Sequence, residues 1–97
     1  MNDAVGILGL ALRSRSLCSG EIILKKIASK DASLLIISDD IGENSKKKYL
    51  DKCSFYHVPY VFMKDEEMAK ALGGRNRKAV LILNKGFGEK LYACLKG

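Results

Sequence analysis

Apolar and polar residues alternate along the chain in blocks that predict strands and helices in turn. Two continuously apolar runs, Leu34–Ile37 and Ala79–Leu83, are typical of short strands covered on both faces. Val58 precedes Pro59, and the residue before a proline favours extended backbone. Tyr60–Phe62 is expected to continue this extended segment as another short strand. Any strand within Arg13–Ser19 is expected to be brief. The pattern therefore predicts three strands and allows a brief fourth.

Segments with apolar residues at helical spacing separate and follow these strands. The first helix is expected after the capping pair Asn2-Asp3, and the second from Gly20-Glu21 to about Lys30. Asn44 or Ser45 is expected to cap the third. Asp65 is expected to cap the fourth, which stops at Gly73-Gly74. The expected inner faces of the third and last helices comprise Tyr49, Leu50, Cys53 and Tyr56, and Phe87, Leu91, Cys94 and Leu95.

This alternation predicts the fold class α/β, as one domain over residues 1–97. Right-handed crossovers between strands would place helices on both faces of a small mixed, mostly parallel sheet, giving a three-layer α/β/α sandwich. In such sheets ligands gather where strand ends meet the following helices. The loops expected to matter are residues 17–21, 39–46 and 73–78.

Length and composition agree with one globular domain. The chain has 97 residues, of which 47% are hydrophobic, enough for a core without disulfides and too few residues for a multidomain enzyme. Its longest uncharged apolar stretch, Ala4–Leu12, is about half of the roughly 20 residues that a membrane span needs. We therefore expect neither a transmembrane helix nor a signal peptide, and a cytoplasmic location.

Charge points to the class of partner. Seventeen lysines and arginines against eleven acidic residues give a net charge of +6, which favours a nucleic-acid partner. The three cysteines, Cys18, Cys53 and Cys94, are widely spaced and accompanied by a single histidine. This arrangement predicts core or near-core cysteines rather than a disulfide scaffold or a zinc site.

Candidates for catalysis are few. His57 has no serine or cysteine beside it, so no nucleophile and base pair can be built locally. Asp39-Asp40 ends a buried strand, where paired carboxylates can hold Mg²⁺ in phosphoryl-transfer or receiver-like domains. No glycine-rich phosphate loop accompanies the pair. We expect no catalytic residue, metal, cofactor or small-molecule substrate, with the Mg²⁺ site as the less favoured alternative.

The second helix has an unusual outer face. At about 100° per residue, Ile23 and Ile27 share one face while Ile22 lies on the other with Glu21 and Lys25. Ahead of them, Ser19 and Gly20 leave backbone N–H groups that suit a phosphate or the edge of a base. This helix entrance is therefore the first candidate binding site.

Motifs along the whole chain resemble a known family. They are Ser19-Gly20-Glu21 with Lys25, Leu34–Ile37 followed by Ser38-Asp39-Asp40, Asn44–Lys48 with Asp51–Cys53, Val58–Tyr60, and Leu72-Gly73 with Arg77 before Ala79-Val80. In order and spacing the chain resembles, over roughly residues 5–95, the ribosomal-protein family named for the large-subunit proteins "L seven Ae" and "L thirty e". It is most similar to the short bacterial members of the YlxQ type.

The resemblance implies an α/β/α sandwich that binds kink-turn RNA, a sharply bent duplex with sheared G·A pairs beside a bulge. In the family a Gly-x-Asn-Glu-x-x-Lys motif opens the second helix and reads those pairs and nearby phosphates. Aligned on the lysine, Lys25 keeps the phosphate contact, Glu21 replaces the asparagine and Ile22 replaces the glutamate. The family's second contact, an apolar loop over the bulged nucleotides, is basic here, at residues 73–78.

Together these observations predict a non-catalytic protein that binds structured RNA, with ribosomal RNA as the expected partner, as a ribosomal or ribosome-associated protein without membrane contact. A protein-interaction module on the same fold is the main alternative. The predicted RNA-binding residues are Ser19, Gly20, Glu21, Ile22, Lys25, Lys26, Asp40, Gly73, Gly74, Arg75, Asn76 and Arg77.

Overall fold

The computed structural model describes residues 3–96, in which five helices and four strands follow the predicted order. They are α1 (Ala4–Arg13), β1 (Leu17–Cys18), α2 (Ile22–Ala28), β2 (Leu34–Ser38), α3 (Glu43–Tyr56), β3 (Tyr60–Met63), α4 (Asp65–Ala71), β4 (Ala79–Ile82) and α5 (Lys85–Leu95). The expected cap Asn2 lies outside the described residues. α3 begins one residue before Asn44, with Gly42 at its N-cap. No helix within residues 3–96 is long and apolar enough to cross a membrane.

The sheet is mixed, with strand order β1-β4-β2-β3. Only β2 and β3 pair in parallel, and β4 lies antiparallel between β1 and β2, so the expectation of a mostly parallel sheet is corrected. Alternating elements predict the strands but not their directions. The link from β3 to β4 contains only the seven-residue helix α4, and β4 begins at the same edge of the sheet at which β3 ends. β4 therefore runs opposite to β2 and β3. The register places Ser38 beside Met63, and Ile37 beside Ala79.

Helices cover both faces of the sheet, which confirms the three-layer α/β/α sandwich. Leu34 and Ile36 of β2 pack with buried residues of α1, α4 and α5 on one face. Leu35 and Ile37 pack with α2 and α3 on the other face. Every residue of β2 is buried, as expected for a strand between two helical layers. The predicted inner faces of α3 and α5 are confirmed by their contacts with these two clusters.

The three cysteines are free thiols within this packing. Cys53 is buried and Cys18 and Cys94 are half-buried, which confirms their prediction as core or near-core residues. Burial raises the pKa of the Cys53 thiol to about 11, so this thiol stays protonated at neutral pH.

Helix α5 packs closely on the segment leading into β2, and this contact yields a stability prediction. A Cβ added to Gly88 would lie 2.9 Å from the Cβ of Ser33, so Gly88→Ala should lower the free energy of unfolding by about 1–3 kcal/mol. Gly6 in α1 has no atom within 4 Å of an added Cβ, and Gly6→Ala should raise that free energy by up to about 1 kcal/mol. Urea unfolding measures both changes. A stabilising Gly88→Ala would contradict the close approach of α5.

Candidate functional site

Three loops meet at one end of the sheet. Because β4 runs opposite to β2, its first residue lies beside the end of β2, where the Ser38 N–H donates to the Lys78 carbonyl at 2.8 Å. An open depression beside this contact has walls from all three loops. It is lined by Gly20, by Ile41, Gly42, Ser45 and Tyr49, and by residues 76–79. The three loops that the sequence analysis singled out, residues 17–21, 39–46 and 73–78, therefore converge on one depression.

The entrance to α2 depends on a left-handed glycine. Gly20 has φ +86°, although no atom lies within 4 Å of an added Cβ, so backbone conformation rather than crowding favours glycine there. Glu21 stands at the N-cap and makes no side-chain capping bond. Gly20 and Glu21 also line a second depression with Ser45, Lys48 and Tyr49 of α3 and Leu24 of α2. The α2 entrance therefore opens toward α3 as well as toward the loop before β4.

The two faces of α2 are as predicted. Ile23 is fully buried, whereas the neighbouring Ile22 is 44% exposed. Lys25 is exposed on the same helix. Lys26 is half-buried, and its Nζ lies 4.0 Å from the Asp31 carboxylate, beyond the carboxyl end of the helix. Ile22 is thus an apolar side chain offered to solvent or to a ligand.

The loop before β4 starts with two glycines that end α4. Gly73 and Gly74 have φ of +70° and +86°, and the Gly74 N–H donates to the Ala69 carbonyl at 2.7 Å. Residues 73–77 are all exposed. Asn76 and Arg77 line the same depression as Gly20, which joins the two predicted contact regions. The other predicted residues do not line it; Glu21 lies in the adjoining depression.

Asp40 belongs to a polar cluster at the same end of the sheet. The Lys78 ammonium donates to Asp40 Oδ2 at 3.0 Å and to Asp65 Oδ1 at 2.9 Å. Ser38 Oγ donates to Asp65 Oδ1 at 2.8 Å, and the Asp65 N–H donates to Asp39 Oδ1 at 3.1 Å. Asp65 was expected to cap α4, but Lys64 is the N-cap and Asp65 instead connects α4 to β2 and to Lys78.

These contacts make part of the stability depend on pH. Hydrogen bonds from Lys78 and Ser38, together with the charge of Lys78, hold the pKa of Asp65 below its ordinary value. A carboxyl whose folded pKa is lowered stabilises the fold above its unfolded pKa of about 4, and this contribution is lost as the pH falls through the folded pKa. Asp65→Asn should therefore lower stability at pH 7 and reduce the loss between pH 7 and pH 3.

Urea unfolding at the two pH values tests this prediction. Glu89→Gln, which removes an exposed carboxylate on α5, is the matched control and should keep the wild-type pH dependence. An unchanged pH dependence in Asp65→Asn would show that the Asp65 contacts contribute nothing to stability.

The geometry does not favour the alternative of a Mg²⁺ site at Asp39-Asp40. Asp39 accepts from the Asp65 backbone while Asp40 accepts from Lys78, so the two carboxylates serve different partners. Within residues 3–96 no group of three or more histidine, cysteine or acidic side chains could hold a metal ion. His57 is exposed and ends α3 with φ +58°, a position that suits a structural or surface histidine.

The first turns of α3 contribute residues that the site prediction left out. Ser45 and Tyr49 line both depressions, and Lys48 lines the one next to Glu21. Burial raises the pKa of Tyr49, so its phenol stays protonated and able to donate a hydrogen bond. These residues could have been predicted from the sequence. Ser45 and Tyr49 are four positions apart, so they share one face of a helix, and this helix follows one of the three expected loops.

Comparisons with known proteins show the family that the chain resembles. The family model of the "Ribosomal protein L7Ae/L30e/S12e/Gadd45 family" matches residues 5–92. The "RNA-binding protein YlxQ" of Bacillus subtilis (strain 168) is 35% identical over 91 residues, covering 92% of this chain and 91% of that protein. The "RNA-binding protein YlxQ" of Enterococcus faecium is 33% identical over 95 residues, covering 97% and 92%.

A solved structure shares the whole fold. A protein of unknown function from Bacillus halodurans C superposes with a TM-score of 0.93 at 32% identity, and the match covers 100% of both chains. The predicted resemblance, including that to the YlxQ-type members, is confirmed. With the family model spanning nearly all of the sequence and the loops converging at one end of the sheet, the chain belongs to the ribosomal protein L7Ae/L30e/S12e/Gadd45 family.

Proposed function

We propose that this protein binds structured RNA with a kink-turn-like bend, without catalysis, as a cytoplasmic ribosomal or ribosome-associated protein whose partner is ribosomal RNA. One observation carries the proposal: the entrance of α2 and the basic loop before β4 line a single open depression. Two relatives that cover more than nine tenths of the chain are named as RNA-binding proteins, which supports RNA as the ligand.

The shape of the site suits a bent RNA better than a straight duplex. A-form grooves are hard to read, so proteins contact bends, bulges and unstacked bases. A helix entrance and a loop that line one open depression can hold both sides of such a bend. Lys25, Arg75 and Arg77 are exposed and can neutralise phosphates, while Ile22 can lie against an exposed base.

The proposed interface keeps the full predicted set and divides it into two parts. The first is the α2 entrance together with Lys25 and Lys26 of the same helix, and the second is the loop before β4. The first comprises Ser19, Gly20, Glu21, Ile22, Lys25 and Lys26; the second comprises Gly73, Gly74, Arg75, Asn76 and Arg77, with Asp40 beside it. Asp40 acts there through Lys78, whose ammonium it holds at the start of β4.

Removal of single phosphate contacts tests the proposal. Lys25→Ala and Arg77→Ala should each weaken binding to all RNA ligands about equally and lower the slope of log affinity against log salt by about one. The measurement is a fluorescence titration with a kink-turn hairpin between about 50 and 200 mM salt. Lys90→Ala removes an exposed lysine from α5, on the other helical layer, and should leave both affinity and slope unchanged.

The competing hypothesis of a protein-interaction module gives different results. It predicts that no RNA is crosslinked to the protein in cells and that any RNA binding in solution does not weaken as salt rises. Either result would contradict the proposed function. A variant that melts early yet binds normally would identify a structural residue instead.

A further inference from the structure

We propose that a single-stranded segment of the bound RNA continues from the α2 entrance along the outer face of α3. In this arrangement Lys48 and Lys52 contact its phosphates and one base stacks on Phe55. The inference rests on the proposed function, because it extends the same RNA beyond its bend.

The path is continuous in the structure. Lys48 lines both the depression that contains Gly20 and Glu21 and a third depression, on α3. This third depression is lined by Lys48, Asp51, Lys52, Phe55 and Tyr56. Lys48, Lys52 and Phe55 are spaced by four and three residues, so they form one stripe along the helix. From Lys48 to Phe55 the helix rises about 10 Å, the length of about three stacked nucleotides.

Phe55 is the side chain that the fold least explains. It is 74% exposed, the highest value among the exposed large hydrophobic residues of the described chain. Its ring meets the ring of Tyr56 edge-on, with centroids 4.8 Å apart, and Tyr56 packs on the core beneath α3. Phe55 is therefore an exposed aromatic ring held by an anchored neighbour. Bases stack on such rings with little regard to sequence.

The charges around Phe55 favour a nucleic acid over an apolar protein partner. Helix α3 carries four lysines against two acidic residues, Glu43 and Asp51. Within the described residues only Lys26 and Lys78 form ion pairs, so no acidic side chain neutralises the α3 lysines. The Lys52 Nζ lies 5.6 Å from the centroid of the Tyr56 ring, which keeps it next to Phe55. Asp51 and Glu21 line the same path and reduce its attraction for a polyanion. An unpaired strand, which adds base stacking to phosphate contacts, fits this balance better than a duplex does.

An RNA with a removable single-stranded extension tests the inference. The probe is a fluorescent kink-turn hairpin, made with and without six unpaired adenosines at one end, in versions extended on each strand. One of the extended hairpins should bind the wild-type protein about tenfold more tightly than the hairpin alone. Phe55→Ala should remove most of this gain, and Lys52→Ala should reduce it and lower the salt slope by about 0.7. Neither variant should change affinity for the unextended hairpin.

Matched controls come from α5, which covers the other face of the sheet. Tyr92 is 38% exposed, about half the value for Phe55, and the Lys96 Nζ lies 5.2 Å from its ring centroid, so it is a partly exposed aromatic residue beside a lysine on the other layer. Tyr92→Ala and Lys90→Ala should both keep the full gain from the extension. A loss of the gain in these controls as well would overturn the assignment to α3.

The outcomes separate this inference from the proposed function. If the hairpin binds but neither extension adds affinity, or if the gain survives in Phe55→Ala, the inference is wrong while the proposed function stands. If neither the hairpin nor the extended RNA binds, the proposed function fails. An NMR titration with hexaadenylate then tests whether α3 binds single-stranded RNA independently of a kink-turn. Shifts at Lys48, Lys52 and Phe55 would support it, and their absence would overturn it.

Discussion

The double substitution Glu21→Asn, Ile22→Glu should raise affinity for a standard kink-turn by about 1–3 kcal/mol, the range for a good bidentate contact to a base. It restores the asparagine and glutamate that the family motif has at these positions relative to Lys25. The asparagine amide can donate to and accept from a base edge, and the carboxylate can accept from a guanine amino group. Titration of wild type and variant with the same kink-turn hairpin measures the gain.

The structure also predicts that this double variant folds normally. Ile22 is 44% exposed, so a glutamate there keeps its carboxylate in water and folding should be unaffected. A control hairpin in which the sheared G·A pairs are replaced by Watson–Crick pairs should show no gain. Early melting without any gain in kink-turn affinity would mean that the α2 entrance does not read bases.

Ile23→Ala should lower the free energy of unfolding by about 2–5 kcal/mol, a loss of about 10 °C or more in melting temperature for a domain of this size. Ile23 is fully buried against the sheet and, with Ile27, is one of the two buried residues of α2. A cavity at this position weakens the attachment of the helix whose entrance holds Gly20 and Glu21. Calorimetry measures the loss of stability, and the same hairpin titration should show weaker RNA binding at temperatures where the variant is folded.

The neighbouring residue provides the control for this prediction. Ile22→Ala truncates the same side chain on the exposed face and should change stability by no more than about 0.5 kcal/mol. If the two variants lost equal stability, the outward orientation of Ile22 would be wrong.

Most of the fold could be predicted because its signals are local. The opposite orientations of Ile22 and Ile23 follow from helical geometry, and the burial of Leu34–Ile37 follows from an uninterrupted apolar run. The N-cap of α3 is Gly42, two or three residues before the expected Asn44 or Ser45. No side-chain capping bond forms there, so the expected signal from Asn44 or Ser45 is not the one that the structure uses.

The unpredicted parts depend on strand order. Periodicity does not report strand direction, so the antiparallel position of β4 could not be derived from the pattern. The contacts of Lys78 with Asp40 and Asp65 require β2, β3 and β4 to end or begin at the same edge of the sheet. The path along α3 was missed for another reason: the pattern leaves Phe55 off the apolar stripe, but it does not show that the outer face of α3 adjoins the α2 entrance.

The place of β4 also determines when the interface can form during synthesis. β1 pairs only with β4 within the described sheet, and Leu17 meets Ile82, sixty-five positions later along the chain. A pairing so distant in sequence cannot form until β4 has been made. The loop before β4 joins the α2 entrance at the same late stage. A growing chain that has not reached residue 82 therefore cannot hold the loop before β4 beside the α2 entrance, so it cannot present both parts of the proposed interface to a bent RNA.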